Sequence, residues 1–96
     1  MKAELVLRQK DYFEDGSFVE MRVWRVPEPV PPAEHRYKYS LVYIADEQRI
    51  LGYDNERGKG DHRHFGDTED AVQFDSITAL VERFIAEVRQ IRGGRA

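Results

Sequence analysis

The sequence predicts an α+β domain in which an antiparallel four-stranded meander sheet packs against one C-terminal amphipathic helix. Apolar and polar side chains alternate through the first two-thirds of the chain, which is typical of strands. In the last third the apolar side chains recur about every 3.6 residues, which is typical of a helix. Because such a helix needs an apolar surface to cover, we expect the two parts to form two layers of a single domain over residues 1–96.

The strands are expected over residues 3–13, 18–26, 37–44 and 50–55. In the second of them Val19, Met21 and Val23 alternate with polar side chains, as in a sheet with one buried face. The turn-forming residues 14–17 favour a hairpin between the first two strands. Residues 27–32 contain four prolines, which donate no backbone hydrogen bond, so we interpret them as an extended surface loop.

The helix is expected over residues 76–92, with Asp75 as its N-cap and Gly93-Gly94 at its end. Its apolar positions fall on one stripe, formed by Ile77, Leu80, Val81, Phe84, Val88 and Ile91. Charged side chains fill the opposite side. This arrangement predicts that the helix buries one face against the sheet.

Composition excludes several classes of protein. The chain has no cysteine, which rules out disulfides, thiolate catalysis and cysteine-based zinc sites. A formal net charge of −3 argues against a protein that coats DNA, although it permits a local cationic site. No apolar run approaches the ~20 residues that span a bilayer, and the N-terminal residues do not resemble a signal peptide. We therefore expect a soluble, cytoplasmic protein with no membrane partner.

Residues 54–67 form the segment that the predicted scaffold does not explain, and we interpret them as a functional loop. They have no apolar period but are rich in histidine, arginine, lysine and carboxylates. Gly58 and Gly60 flank Lys59, and glycines allow backbone N–H groups to approach an anion closely. The simpler interpretation is a mobile, charged hairpin tip.

His62-Arg63-His64 is the sharpest feature of this segment. In an extended chain the two histidines point to one side and Arg63 to the other. One imidazole could then act as general base and the other as general acid in phosphodiester cleavage. Lys59, Arg57 or Arg63 would stabilise the charge that develops on the phosphate.

A metal site is the alternative interpretation of the same histidines. His62 and His64, together with Asp61 or Asp67, could bind a divalent ion. A merely structural, polar role is the third possibility. The sequence contains no P-loop, GxGxxG, GxSxG or HExxH motif, which excludes the common NTPase, dehydrogenase, serine-hydrolase and metalloprotease signatures.

Trp24 and His35, outside this segment, have a functional and a structural interpretation respectively. Trp24 shares a strand face with Arg22 and is a candidate for stacking on a nucleobase, or for covering the sheet rim. His35 lies beside the proline-rich segment, and we interpret it as a solvated polar residue.

Two strings, FVEMRVWRVPEPVPPAEHRYKYSLVYI (residues 18–44) and GYDNERGKGDHRHFGD (residues 52–67), resemble the TumE-like family of type II toxin–antitoxin toxins. The resemblance implies the toxin half of a pair whose partner is a helix-turn-helix antitoxin. The most specific part of the family pattern falls on Tyr53, Asp54, Asn55, Lys59, His62, Arg63 and His64.

The resulting prediction is a toxin that acts on RNA as a metal-independent endoribonuclease. Its catalytic residues would be His62, His64, Arg63 and Lys59, with Asp54 or Asp61 orienting one imidazole. The predicted substrate-binding residues are Tyr53, Asp54, Asn55, Arg57 and Asp61. No cofactor is predicted, although a divalent metal held by His62, His64 and Asp67 is the second choice.

A binding module without catalytic activity is the alternative function. It would grip a nucleotide, an RNA or another protein and inhibit by occupancy. The sequence also allows a homodimer, because two protomers could pair through an exposed edge strand.

Overall fold

Each strand of the sheet pairs with its neighbour along the chain in a computed structural model that describes residues 2–93. The six strands and one helix are β1 (Glu4–Tyr12), β2 (Phe18–Arg25), β3 (Tyr37–Ala45), β4 (Gln48–Glu56), β5 (Gly60–Phe65), β6 (Thr68–Ala71) and α1 (Ile77–Gly93). All five strand pairs are antiparallel and follow the order β1-β2-β3-β4-β5-β6. The α+β meander with a C-terminal helix is therefore confirmed.

The number of strands is corrected from four to six. The four predicted strands correspond to β1 to β4, and both ends of each lie within two residues of the predicted bounds. Most of the predicted functional loop, residues 54–67, is instead the end of β4, the whole of β5 and the turn before β6. Polar residues occupy both faces of β5 and β6, so these strands lack the apolar alternation by which strands are recognised in a sequence.

The hydrophobic core lies between α1 and one face of the sheet, which we call the helix face. Leu80, Phe84 and Val88 are the buried side chains of the helix. The sheet contributes alternate residues of β2, β3 and β4, including Val19, Met21, Val23, Tyr39, Leu41, Tyr43, Leu51 and Tyr53. The other face of the sheet, which α1 does not cover, is called the open face below.

The helix begins at Ile77, one residue later than predicted, and its N-cap moves by one residue as well. The backbone N–H of Ala79 donates a hydrogen bond to Oγ of Ser76 at 3.0 Å, which makes Ser76 the N-cap. Asp75 accepts a hydrogen bond from Gln73 instead. Gly93 is the last residue of α1, and Gly94 lies outside the described residues.

The register between β3 and β4 is set by a two-residue turn and a bulge. Asp46 and Glu47 both have positive φ angles, 52° and 63°, as a type I′ hairpin requires. Ile50 is the extra residue of the bulge, since Ile44 pairs with Arg49 and Tyr43 with Leu51. This register places Ser40 directly opposite Asp54.

The proline-rich segment supports the turn between β4 and β5. The N–H of Gly58 donates a hydrogen bond to the carbonyl of Pro31 at 2.8 Å. Gly60 has a φ of +78°, and a Cβ there would lie 3.2 Å from Cγ of Pro32. Glycine is therefore required at position 60 by both its backbone conformation and the neighbouring ring.

Arg92 ties the end of α1 to the first hairpin. Its Nη1 donates hydrogen bonds to Oδ2 of Asp15 at 3.1 Å and to Oγ of Ser17 at 2.9 Å. The guanidinium also lies 3.7 Å from the ring centroid of Phe13. Hydrogen bonds from Ser17, and secondarily from Arg92, lower the pKa of the Asp15 carboxyl to about 2.

Asp15→Asn is expected to reduce the acid sensitivity of the fold. Because the folded pKa is lower than the ordinary 3.8, the ionised carboxylate stabilises the fold above that pH. This contribution is lost as the pH falls from 3.8 through about 2. Urea unfolding across this range should show a shallower loss of stability for the variant. Asp67→Asn, at an exposed turn, is the control, and an unchanged slope in Asp15→Asn would contradict the assignment.

No helix within residues 2–93 is long and apolar enough to cross a membrane.

Candidate functional site

Asp54, His62 and His64 converge on the open face, where β4 and β5 pair. Asp54 lies directly across from His62, and Gly52 lies across from His64. Because alternate residues share a face, all three side chains emerge on the same side. Oδ1 of Asp54 is 2.7 Å from Nε2 of His62 and 3.5 Å from Nε2 of His64. The two imidazole rings meet edge to face, with centroids 4.6 Å apart.

The backbone defines the tautomer of His62. Its Nδ1 lies 2.9 Å from the carbonyl oxygen of Gly60, which can only accept a hydrogen bond, so Nδ1 carries a proton. In the neutral ring the lone pair is therefore on Nε2, which faces Asp54. Oδ1 of Asp54 is itself buried, and within residues 2–93 no donor makes a well-aligned hydrogen bond to it. The centre of the cluster thus contains electron-pair donors that face one another.

Glu69 and Lys59 form the rim of the cluster. Glu69 on β6 pairs with His64, and its carboxylate lies 3.8 Å from Nδ1 of His64 and 3.7 Å from Nε2 of His62. Nζ of Lys59 lies 3.6 Å from Glu69 and 3.7 Å from Glu56. Lys59 therefore lies beside the carboxylate that faces both histidines, and Glu69 is a residue of this cluster that was not expected from the sequence.

A groove continues from the cluster across β3 to β2. It is lined by Arg22, Trp24, Lys38, Tyr39, Ser40 and Asp54. Trp24 is 37% exposed, and it stands opposite Lys38 in the strand register. Lys38 and Ser40 were not expected at the site, because only the strand register brings them there: Ser40 lies opposite Asp54 and Lys38 opposite Trp24.

Tyr53 and Asn55 lie on the helix face, so the structure separates them from the histidines. Tyr53 is fully buried, and its ring packs edge to face on Phe84 with centroids 5.8 Å apart. The side chain of Asn55 accepts a hydrogen bond from the N–H of Tyr39 at 3.0 Å and donates one to the carbonyl of Tyr37 at 2.6 Å. These contacts give both residues a role in the fold and leave them out of reach of a ligand on the open face.

Asp61 also lies on the helix face, in a network with His35. Its Oδ1 accepts hydrogen bonds from the hydroxyl of Tyr39 at 2.6 Å and from Nε2 of His35 at 2.8 Å. The His35 ring stacks on Phe74 at 3.7 Å, so this histidine is packed and bonded rather than solvated as the sequence suggested. Burial, and secondarily the bond to Asp61, raises the pKa of Tyr39.

Arg63 points away from His62 and His64, as strand alternation predicts. Its Nε lies 3.1 and 3.0 Å from the two carboxylate oxygens of Glu87 on α1, and its Nη2 donates to Oε2 at 2.6 Å. Burial raises the pKa of Glu87, and the paired guanidinium favours its ionised form. Arg63 therefore joins the sheet to the helix and does not stand beside the histidines.

Two other predicted residues also lie apart from the cluster. Arg57 lines a surface cleft with residues 26–31. Asp67 is exposed in the turn between β5 and β6. Within the described part of the chain, the group of side chains that could hold a metal ion consists of His62, His64 and Asp54. Asp54 thus takes the place that the sequence reasoning gave to Asp67.

Arg63→Met is expected to lower the free energy of unfolding by roughly 2 kcal/mol, between the values for exposed and for fully buried ion pairs. The reason is that Glu87 would lose its bidentate partner while remaining largely buried. Arg83→Met is the matched control, because Arg83 lies 3.8 Å from the same carboxylate and is half exposed. Urea unfolding that shows equal losses for the two variants would contradict this role.

The family model described as Toxin TumE matches residues 2–92, which is nearly the whole chain. Searches of curated proteins and of solved structures gave no significant match. The family implies that the protein is a toxin and that an antitoxin is its partner. The family match thus confirms the resemblance, and this chain belongs to the TumE toxin family.

Proposed function

We propose that this toxin acts on RNA as a metal-independent endoribonuclease, with the open face as its substrate surface. The observation that carries the proposal is the convergence of His62, His64 and Asp54 beside a groove that contains Trp24 and Lys38. Two imidazoles near a carboxylate supply proton acceptors and donors at neutral pH. An exposed aromatic ring beside cations suits single-stranded nucleic acid.

The cleavage step follows from the two imidazoles. One accepts the proton of the RNA 2′-hydroxyl as its oxygen attacks phosphorus, and the bond from phosphorus to the 5′ oxygen breaks. The other imidazole donates a proton to that oxygen. The products are a 2′,3′-cyclic phosphate and a 5′-hydroxyl. His64 has the more exposed ring and would meet the RNA, while Asp54 orients His62.

Positive charge for the phosphate would come from Lys59, which was expected from the sequence, and from two residues of the groove in place of Arg57 and Arg63. Lys59 stands at the rim of the cluster, and Lys38 and Arg22 line the groove. Arg63 is engaged by Glu87 on the other face. We therefore propose Lys59 for charge stabilisation and the groove cations for binding of the neighbouring phosphates.

The test is incubation of the purified protein with total RNA and with ribosomes, each with and without a chelator. We expect cleavage that survives chelation and leaves 5′-hydroxyl ends. Absence of cleavage of either substrate, with RNA still bound, would favour the occupancy function instead. Binding of that kind should weaken with salt in proportion to the few cations of the groove.

We also propose that the antitoxin is a helix-turn-helix protein encoded by the neighbouring gene, and that the pair acts in the cytoplasm. Strand β1 is an edge of the sheet, and all but one of its residues are exposed. Its free backbone groups can pair with another strand, so a homodimer joined through β1 is part of the proposal. Sedimentation of the toxin alone and with the antitoxin checks both assemblies.

A further inference from the structure

We propose that Asp54, His62 and His64 form a binding site for one divalent transition-metal ion, such as Zn²⁺. The donor set is two imidazole nitrogens and one carboxylate oxygen, which suits zinc and its neighbours better than magnesium or calcium. Binding of the ion does not require RNA cleavage, and only its expected effect on cleavage rests on the proposed function.

The spacing of the donor atoms supports this site. Ligands about 2.0–2.1 Å from a tetrahedral ion lie about 3.3 Å from one another. Oδ1 of Asp54 is 2.7 Å from Nε2 of His62 and 3.5 Å from Nε2 of His64, and one ligand atom from each of the three residues lies within 4.8 Å of the others. Small side-chain movements therefore bring all three within coordination distance of one ion.

The bond between His62 and Gly60 is the second support. Nδ1 of His62 is held at 2.9 Å by the Gly60 carbonyl, which leaves Nε2 free to coordinate. Metal-binding histidines characteristically use their other ring nitrogen in this way, because the bond fixes the tautomer and the ring orientation. The backbone of β5 thus prepares His62 as a ligand.

The third support is electrostatic. Oδ1 of Asp54 is buried and, among residues 2–93, lacks a well-aligned donor, yet two imidazole nitrogens face it. A proton on one imidazole would lie between that ring and the carboxylate. The nitrogen lone pair of the other ring would still face the carboxylate oxygen. A divalent cation at the centre accepts electron pairs from all three groups at once.

Glu69 lies beside the fourth coordination position of the ion. Its Oε1 lies 3.7 Å from Nε2 of His62 and 3.6 Å from Nζ of Lys59. The carboxylate can close the site as a fourth ligand or remain paired with Lys59 and leave that position to water.

The test is calorimetric titration of the chelator-treated full chain with Zn²⁺. We expect one ion per chain, and a melting temperature that rises with Zn²⁺ concentration. Asp54→Asn and His64→Gln should each weaken binding by at least tenfold. Asp67→Asn is the control, since this exposed aspartate is outside the cluster and should leave the affinity unchanged. Absence of binding, or equal binding by Asp54→Asn, would overturn the site.

The cleavage assay separates this site from the proposed function. Zn²⁺ should inhibit cleavage and a chelator should restore it, because the ion occupies the nitrogens that transfer protons. Stimulation by Zn²⁺ would support the metal site and overturn the metal-independent mechanism. Chelator-resistant cleavage by a protein that binds no Zn²⁺ would overturn the site and support the mechanism.

Discussion

His64→Gln is expected to abolish growth arrest by this toxin and to lower RNA cleavage by ~10²–10⁴-fold, the usual contribution of a general acid or base. Glutamine has polar atoms but transfers no proton at neutral pH. The fold should survive, because the polar contacts of the His64 ring with Asp54 and Glu69 are long, at 3.5 and 3.8 Å, and its edge-to-face contact is with His62 on the open face. The measurements are growth after induction, cleavage by purified protein, and circular dichroism.

The third histidine provides the matched control for this variant. His35 lies on the helix face in the network with Asp61, so His35→Gln should keep its activity wherever the protein is folded. Arrest by His64→Gln at the wild-type level would contradict the catalytic role. His62 is a less suitable position for this test, because the residue is only 5% exposed and its ring is bonded to the backbone.

Phe84→Ala is expected to cost ~3–5 kcal/mol of unfolding free energy, the typical loss for a buried phenylalanine. Phe84 is 0% exposed and lies at the centre of the buried stripe of α1, against Tyr53. A cavity at this position would remove van der Waals contacts of both the helix and the sheet. Since a domain of this size has a total stability of ~5–15 kcal/mol, much of it would be lost. The melting temperature should fall by ~12 °C or more.

Gln90→Ala is the control for the helix, because Gln90 is exposed and its replacement should change stability by less than ~0.5 kcal/mol. Urea unfolding at neutral pH measures both variants. A loss below ~1 kcal/mol for Phe84→Ala would show that α1 is not docked on the sheet as described.

Much of the fold could be predicted from local patterns in the sequence. The stripe from Ile77 to Ile91 identified the helix, and alternation identified β1 to β4 within two residues of their ends. Alternation also placed Arg63 on the face opposite His62 and His64. The helical spacing and the strand alternation are both local patterns, because each depends only on which side of one helix or strand faces the apolar core.

β5 and β6 could not be found in this way. On the helix face of β5, Asp61 and Arg63 stand where apolar residues are usual, and they are compensated by Tyr39, His35 and Glu87. These partners lie 22 or more residues away in the chain. A strand whose inward charges are neutralised by distant residues has no recognisable hydrophobic period.

The site, like the fold, has residues that local sequence patterns predict and residues that only strand pairing brings together. His62 and His64 could be selected from the sequence because an HxH pair is chemically distinctive, and its one-sided orientation follows from strand geometry. That Asp54 joins them, rather than Asp61 or Asp67, depends on the register between β4 and β5. That register is held by the positive-φ glycines of the turn and by the proline-rich segment packed on it.

The sequence by itself therefore determined the α+β class, the helix, the first four strands, the toxin family and the histidine pair. The tertiary structure alone decided which carboxylate meets the histidines, and it assigned Tyr53, Asn55 and Asp61 to the helix face. The physical reason is that side-chain periodicity acts within one element, whereas the partners of a polar side chain are set by pairing between elements.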